Sequence, residues 1–256
     1  AELALDADGR FLALRGRNVS NLGAHTISWI PLVKGVEIFS TVYAVPLSFF
    51  RAVGVISHTP ATYPYRAAGR PEVVFAMERL IDLAARDLAL DRLEIRRRNI
   101  VPPSAMPYTN PAGLTYDSGD FPAAFETAAA HADWAGFERR RAEALRHGRH
   151  RGIGIANYVD LSTGSPQERA EITVRPDRVV DVVIGTQAYG QGHETAYAQV
   201  VADLLQAPFE SVRLRQGDTD FVKIGGGSHS GRSMRLGAII LTEASNEIIA
   251  KGRRIA

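Results

Sequence analysis

The sequence predicts an α+β fold in which mixed sheets and helices form two parts. Segments with alternating apolar residues, typical of strands, are interspersed with segments that carry apolar residues every three or four positions, typical of helices. The composition changes within residues 148–154, where we place a domain boundary. We therefore predict domains over residues 1–150 and 151–256, each long enough to bury a core.

The first part begins with a predicted β-hairpin. Residues 2–5 and 11–14 flank an Asp-Ala-Asp-Gly turn, and Asp-Gly is a strong hairpin signal. Further strand structure is predicted over residues 42–57, and a long ordered loop over residues 99–119, which are rich in Pro, Gly and Asn. Apolar residues at helical spacing predict helices over residues 72–90, 121–131 and 134–146.

The second part repeats a hairpin-and-helix pattern. A hairpin is predicted over residues 168–174 and 179–185, followed by a helix over residues 193–206 and a short strand over residues 212–214. A glycine- and serine-rich segment then leads into a final helix. The segment covers residues 224–231 and the helix residues 232–251.

The composition excludes several classes of site within this chain. Cysteine is absent, which rules out disulfides, zinc–thiolate sites and iron–sulfur ligation by these residues. The net charge is only +2, and the charged run at residues 138–151 mixes signs, so a solvated helix is favoured over a nucleic-acid surface. No apolar run reaches the roughly 18 to 20 residues of a membrane helix, and a cytoplasmic location is expected.

Residues 190–195, Gly-Gln-Gly-His-Glu-Thr, form the first candidate binding motif, between a predicted strand and a predicted helix. Glycines allow the backbone to approach a ligand closely, and free N–H groups at a helix start attract anions. The Gln191 amide can both donate and accept, which suits a heterocyclic or oxo ligand. The same letters also fit a plain strand-to-helix turn with Thr195 as a capping residue.

Two further loops precede predicted helices. Residues 225–233 combine glycines, serines and Arg232, which suits a phosphate-bearing ligand, although no Walker sequence is present and a flexible linker is an alternative. Residues 65–72, Tyr-Arg-Ala-Ala-Gly-Arg-Pro-Glu, place small residues beside Arg66. That loop could contact a ligand, or it could be a structural turn before a helix.

Together and in this order, the motifs resemble the large, molybdopterin-binding subunits of molybdenum hydroxylases of the xanthine dehydrogenase, aldehyde oxidase and carbon monoxide dehydrogenase type. The resemblance is carried by PYRAAGRPE, MERLIDLAARDL, MPYTNPAGLTYDSGDF, YGQGHETAYAQV, QGDTD and GGGSHSGRS, and it covers nearly the whole chain. It implies part of a two-domain molybdopterin-binding architecture. The chain would correspond to the central portion of such a subunit.

The resemblance implies hydroxylation of a carbon with oxygen from water at a molybdenum centre. The metal would be held by molybdopterin, with the cytosine dinucleotide form expected, and the electrons would leave through iron–sulfur clusters and FAD on partner subunits. No nucleic acid and no membrane partner is expected.

Residue by residue, the resemblance implies that Arg66 and Ala67 lie beside the molybdenum and that Gln191 approaches the pterin. Further cofactor contacts are implied for Gly190, Gly192, His193, Thr195, Ser228, Ser230, Arg232 and Ser233. The family usually has Gly-Ser-Arg where this chain has Ser230-Gly231-Arg232, which puts the individual contacts of that loop in doubt.

Two positions bear on the substrate. Copper-containing carbon monoxide dehydrogenases have cysteine where this chain has Ala67, so oxidation of carbon monoxide is disfavoured. Purine-oxidising members usually have phenylalanine at the position of Ala68, which we assign to the substrate pocket, and alanine forfeits that ring contact. We expect an aldehyde or an N-heterocycle as substrate.

The family's N-terminal glycine-rich motif and its C-terminal Gly-x-Gly-Glu, whose glutamate is the general base, do not occur in these residues. We therefore assign no catalytic and no metal-binding residue to the chain and expect it to be a fragment, inactive alone, whose partners include the missing parts of the large subunit. The surfaces that those missing parts leave exposed should be apolar, so we expect association or marginal solubility. The alternatives are a scaffold domain without cofactor and a separate phosphate-binding module.

Overall fold

The computed structural model describes residues 1–255, which form two compact units that meet in sequence between Asp160 and Leu161. Each unit combines a small sheet with helices, which confirms the predicted α+β class. The assignment of functional domains to residues 1–150 and 151–256 stays a prediction. Among the described residues no helix is long and apolar enough to cross a membrane.

The first unit contains a three-stranded sheet. Its strands are β1 (Glu2–Leu5), β2 (Phe11–Gly23) and β3 (Leu47–Ile56) in the order β1-β2-β3. Strands β1 and β2 form the predicted hairpin, whose turn is closed by the Asp6 carboxylate, which accepts the backbone N–H of Asp8 at 3.0 Å and of Arg10 at 2.8 Å. Strand β2 runs well beyond the predicted residue 14 because β3 pairs with it in parallel along most of its length.

The predicted strand over residues 42–57 is correct only from Leu47 onward. Residues 42–45 instead belong to a buried turn region, in which Val42 and Tyr43 are fully enclosed. The Val42 carbonyl accepts the N–H of Val101 at 3.0 Å, and the Ala44 N–H donates to the Asn99 carbonyl at 2.7 Å. These contacts come from a segment more than fifty residues away, which local periodicity does not reveal.

This unit has five helices, of which the second, fourth and fifth correspond to those predicted over residues 72–90, 121–131 and 134–146, whereas the short first and third were not predicted. They are α1 (Ile30–Val33), α2 (Arg70–Asp87), α3 (Arg92–Arg97), α4 (Phe121–His131) and α5 (Phe137–Arg146). Residues 99–119, predicted as a loop, contain the short strands β4 (Tyr108–Thr109) and β5 (Thr115–Tyr116). The Asn110 side chain closes the turn between them because its oxygen accepts the N–H groups of Ala112 and Leu114, each at 3.0 Å.

The second unit packs two helices on another three-stranded sheet. Its elements are β6 (Ala170–Val174), β7 (Val180–Ile184), α6 (His193–Leu205), β8 (Val212–Arg215) and α7 (Arg232–Ile255). The predicted hairpin, strand and both helices are all present, and the sheet order is β6-β7-β8. The core is formed by Val180, Val182, Ile184, Tyr197, Val201 and Leu241.

Helices α6 and α7 approach each other closely at Gly237. A Cβ atom at that position would lie 2.5 Å from the Tyr197 hydroxyl oxygen, well inside van der Waals contact. The same hydroxyl donates to the Ser233 carbonyl at 2.7 Å, which fixes Tyr197 against the first turns of α7. Glycine is therefore required by packing, and not by backbone conformation.

A buried ionic cluster joins α2 to α3 in the first unit. The guanidinium of Arg96 is fully buried and donates to Glu78 through Nε at 2.8 Å and Nη2 at 2.6 Å, with Asp82 accepting from Nη2 at 2.9 Å. Tyr43 and the Asn157 backbone N–H donate to the other Glu78 oxygen at 2.7 and 3.0 Å. Nearly every polar atom of the cluster is thus paired.

The charges in this cluster control its protonation. Burial alone would lower the pKa of Arg96, but the neighbouring Glu78 carboxylate keeps that pKa above its ordinary value. Burial, reinforced by the negative charge of Glu78, raises the pKa of Tyr43. The cluster therefore keeps the Arg96 guanidinium charged and the Tyr43 phenol protonated at neutral pH.

We predict that Arg96→Met destabilises the first unit by about 3–5 kcal/mol, because it leaves the buried Glu78 carboxylate without its charge partner. Arg86→Met is the matched control: Arg86 pairs with Asp87 on the exposed end of α2, where a salt bridge contributes about 0–1 kcal/mol. Urea unfolding of the two variants measures the difference. Equal, small losses of unfolding free energy would contradict the structural role of Arg96.

Candidate functional site

The first candidate loop ends where α2 begins. Gly69 precedes the helix in a left-handed conformation, with φ +84°, and a Cβ there would lie 2.6 Å from the Pro31 carbonyl oxygen. Ala67 also has positive φ, +53°, so two reversals of the backbone occur within three residues. No side chain caps the first turn of α2, in which Pro71 has no N–H and the Arg70 N–H donates to the Ala67 carbonyl at 3.1 Å.

The side chains of this loop divide into an exposed and an anchored group. Tyr65 is 88% exposed, and the Arg66 guanidinium lies 5.5 Å from the centre of its ring. Ala67 is exposed and Ala68 half-buried. Arg70, by contrast, pairs with Asp160 at 2.5 Å and also donates to the Ala67 carbonyl at 3.3 Å, which anchors the loop from its C-terminal side.

The second candidate loop connects β7 to α6. Gly190 and Gly192 have φ values of +112° and +73°, and a Cβ at either position would meet no atom within 4 Å. Both are therefore needed for backbone conformation and border open space. Gly192 precedes α6 without any side-chain cap, and Thr195 lies inside the first turn, so Thr195 is not the helix cap.

The third candidate loop leads into α7 and is held firmly on both sides. The Ser230 carbonyl accepts the N–H of Thr163 at 2.8 Å, and the Gly231 carbonyl accepts the hydroxyl of Ser162 at 2.8 Å. Ser230 has a φ of +54°, which is uncommon for serine and requires such support. These contacts do not fit a flexible linker.

His193, at the first position of α6, brings the second and third loops together. Its ring is buried, and Nδ1 lies 3.2 Å from the Thr186 carbonyl oxygen. Because a carbonyl oxygen only accepts, Nδ1 is the donor, while Nε2 lies 3.5 Å from the Ser228 hydroxyl. Ser228 in turn lies 2.9 Å from the Ser233 hydroxyl in the first turn of α7. The starts of α6 and α7 therefore converge.

Arg232 is fully buried and its guanidinium donates to groups of the protein itself. Nη1 donates to Glu168 at 2.8 Å, to the Gly227 carbonyl at 2.6 Å and to Thr186 at 3.2 Å. Nε and Nη2 donate to the carbonyls of Ser165 and Gln167 at 2.9 and 2.8 Å. Through these hydrogen bonds Arg232 fixes the position of the third candidate loop, residues 225–231, hereafter the glycine-rich loop.

Glu168 and Thr186 are site residues that the sequence did not indicate. The side chain of Glu168 is almost completely buried, and besides Arg232 it accepts the Thr186 hydroxyl and, at 3.3 Å, the N–H of Gly226. Its contact with Arg232 spans 64 residues of sequence. A lone glutamate in a polar segment gives no local signal of burial, so only the fold reveals its role.

The structure assembles the predicted site residues of the second unit as two groups. Ser228, Ser233 and His193 form one polar cluster, and the second group is Gly190–Gly192, which directly precedes His193 in the sequence and whose two glycines border open space. The Gln191 side chain turns back and accepts the N–H of Tyr189. Thr195 is exposed one turn into α6.

Comparison with known families assigns the chain. Residues 127–256 match a family described as a molybdopterin cofactor-binding domain, and residues 1–100 match a second family of the same description. The chain belongs to the molybdopterin cofactor-binding domain family. This result confirms the family resemblance carried by the sequence motifs.

Individual relatives agree with this assignment. The chain is 31% identical to the carbon monoxide dehydrogenase large chain of Afipia carboxidovorans, over 100% of this chain and 34% of that one. It is also 31% identical to the nicotine 6-hydroxylase large subunit of Paenarthrobacter nicotinovorans, over 91% of this chain and 30% of that one. The chain spans about a third of the length of these relatives.

Solved structures share the fold of this molybdopterin-binding chain. A quinoline 2-oxidoreductase from Pseudomonas putida gives a TM-score of 0.88 at 32% identity, covering 96% of this chain and 33% of that one. A crystal structure of a copper- and molybdenum-containing carbon monoxide dehydrogenase gives a TM-score of 0.87 at 30% identity, covering 99% and 35%.

We predict that Glu168→Ala loosens the glycine-rich loop, because it removes acceptors from Arg232, Thr186 and the Gly226 N–H at once. Amide hydrogen exchange over residues 225–231 should accelerate by about tenfold or more. Glu171→Ala is the control, since Glu171 forms an exposed pair with Arg169 on β6. Unchanged exchange in the Glu168 variant would show that the loop is held without this pair.

Tyr197 provides a pH-dependent test of the α6–α7 packing. Burial raises its pKa from 10.0 to about 12, so the folded chain keeps a proton that the unfolded chain loses above its ordinary pKa. The free energy of unfolding should therefore fall as pH rises through this window, and Tyr197→Phe should remove about 2–3 kcal/mol of that fall. The exposed Tyr65→Phe should leave the pH profile unchanged. Identical profiles for all three proteins would contradict burial of the Tyr197 hydroxyl.

Proposed function

We propose that this chain forms one wall of the molybdopterin site of a molybdenum hydroxylase and that it acts only together with the rest of the large subunit. The observation that carries the proposal is the convergence of two helix starts, at His193 and Ser233, which Ser228 links, beside glycines that border open space. Family membership supports it independently.

The available donors fit the chemistry of the cofactor. Molybdopterin carries phosphate and a hydrogen-bonding pterin, which call for backbone N–H groups, hydroxyls and amides in a place without bulky side chains. The uncapped first turn of α6, together with open space at Gly190, Gly192 and Gly227, meets that requirement. When bound, the cofactor would supply the dithiolene that holds molybdenum and the redox chemistry.

Each residue then has a defined proposed role. Gln191 would hydrogen-bond the pterin after releasing its contact with Tyr189, and His193 would keep the start of α6 in place. The hydroxyls and glycine amides that would bind the cofactor belong to Gly190, Gly192, Thr195, Ser228, Ser230 and Ser233. Arg232 would not contact the cofactor but would hold the glycine-rich loop in place, since its guanidinium already has five protein acceptors.

The loop before α2 would supply a separate contact. Arg66 and Ala67 would lie beside the molybdenum, where the left-handed conformation of Ala67 turns the backbone N–H of Ala68 toward the loop interior, at 2.7 Å from the Arg66 carbonyl. Ala68 would border the substrate. A small residue at that position leaves room for a substrate and offers no ring to stack on it.

For the complete protein we propose oxidation of an aldehyde or an N-heterocycle with oxygen derived from water. Relatives named for nicotine and quinoline support the heterocycle, and Ala67 in place of cysteine disfavours carbon monoxide. The cofactor would be the cytosine dinucleotide form. Iron–sulfur clusters and FAD would be carried by partner subunits in the cytoplasm, and this chain has no cysteine with which to ligate a cluster itself.

A second candidate is a scaffold domain that keeps the fold without binding cofactor. The burial of Arg232 among protein acceptors favours it, because this arginine would then not reach a phosphate. The order Ser230-Gly231, reversed from the usual family sequence, is compatible with the same alternative.

We predict that the complete assembly, purified with the proteins encoded beside this one, contains about one molybdenum and one pterin per chain, and that Gln191→Ala lowers both by about tenfold, in the range seen for residues that support a metal site. Gln199→Ala, on the exposed side of α6, is the matched control. Metal analysis and fluorescence of the released, oxidised pterin are the measurements. An assembly with every partner present but no molybdenum would establish the scaffold instead.

A further inference from the structure

Strand β3 has a free edge. It is ten residues long and pairs in parallel with β2 along one side, and it is the last strand of its sheet within residues 1–255. Every second residue of such a strand directs its backbone N–H and C=O away from the sheet. A free edge of this length is the usual template for adding another strand.

The outer face of the same sheet carries exposed apolar side chains towards both ends of β3, with the paired Arg17 and Arg51 between them. Leu47, Phe49 and Val55 of β3 are all largely exposed, and Val19 lies next to them on β2. They share one face because side chains alternate along a strand and the parallel register aligns Val19 with Val53. The inner face packs against the rest of the unit: Phe50 makes an edge-to-face contact with the buried Phe39, with ring centres 4.7 Å apart.

A groove of about 380 Å³ runs across this face. Its apolar floor and wall include Ala4, Ala13, Leu47 and Phe49, and the ion pair between Glu2 and Arg15 borders it. The small alanines on β1 and β2 create the depression, and the larger residues of β3 form its side. An apolar side chain from an added strand would fit into it.

Strand β3 has few of the features that keep an exposed edge strand from pairing with another chain. Within β3 the only charged residue is Arg51, and there is neither a proline nor a lysine to discourage pairing. An exposed strand combining apolar residues and a free edge is normally covered in the finished protein. The occupant must supply both backbone hydrogen bonds and an apolar side chain.

We propose that β3 is completed by a β-strand from the part of the large subunit that lies outside these 256 residues. The chain spans about a third of the relatives it matches, so most of such a subunit is available to supply the strand. A segment of the same polypeptide is present at an effective concentration of about millimolar, which favours it over a second copy or another subunit. The inference rests on the proposed function, because it presumes that large subunit.

A photo-crosslinker at position 49 tests the identity of the occupant. We would replace Phe49 with p-benzoylphenylalanine in the complete large subunit with its partners, and make the same replacement at Phe75, an exposed phenylalanine on α2, as the control. The expected product from position 49 is an internal crosslink to large-subunit residues outside these 256, with no equivalent product from position 75. Crosslinks to a second copy, to an iron–sulfur or FAD subunit, or to nothing would each overturn the proposal.

Hydrogen exchange on the same assembly tests the pairing itself. Residues 47–56 should exchange at least about tenfold more slowly in the intact assembly than in the Phe49→Asp variant, and Phe75→Asp should leave them protected. Equal exchange in all three proteins would also overturn the proposal. Molybdenum content separates this result from the proposed function: metal with an unprotected β3 refutes only the docking strand, and a protected β3 without metal refutes only the cofactor.

Discussion

A guanidinium enclosed by protein must find acceptors for its N–H groups, and in the second unit this requirement organises everything around Arg232. The acceptors come from the segment before β6, from the end of β7 and from the glycine-rich loop, so that one side chain ties three separate pieces of chain together. Glu168 supplies the compensating charge. The position of the loop at the start of α7 follows from this pairing, and the convergence with α6 at His193 follows from the loop.

The first unit uses the same device. Arg96 is also fully buried, and Glu78 neutralises it while holding Tyr43 and the backbone at Asn157. In both units a buried arginine on a helix gathers loop segments that lack regular structure of their own. Breaking either pair leaves an enclosed charge, so loop geometry and unit stability are linked.

Local signals in the sequence predicted most of the fold. Helix α6 and the hairpins β1–β2 and β6–β7 were predicted because their apolar periods and turn residues lie within a few positions of one another, whereas the hairpin β4–β5 was predicted as a loop. The full length of β2 and the turn at residues 42–45 were not, since pairing with distant segments decides them. Glycines marked the candidate loops correctly as points of backbone reversal, whereas Glu168 and Thr186 were missed because their partners lie 64 and 46 residues away.

The close approach at Gly237 has an evolutionary consequence. Alanine there would collide with the Tyr197 hydroxyl, and shrinking Tyr197 first would leave a cavity and an unpaired carbonyl at Ser233. Each single change is harmful, but the two together can compensate, because the new methyl group would occupy part of the space that the ring vacates. Positions 197 and 237 should therefore vary as a pair among homologues, and a lineage could leave the glycine–tyrosine combination only by crossing a less stable intermediate.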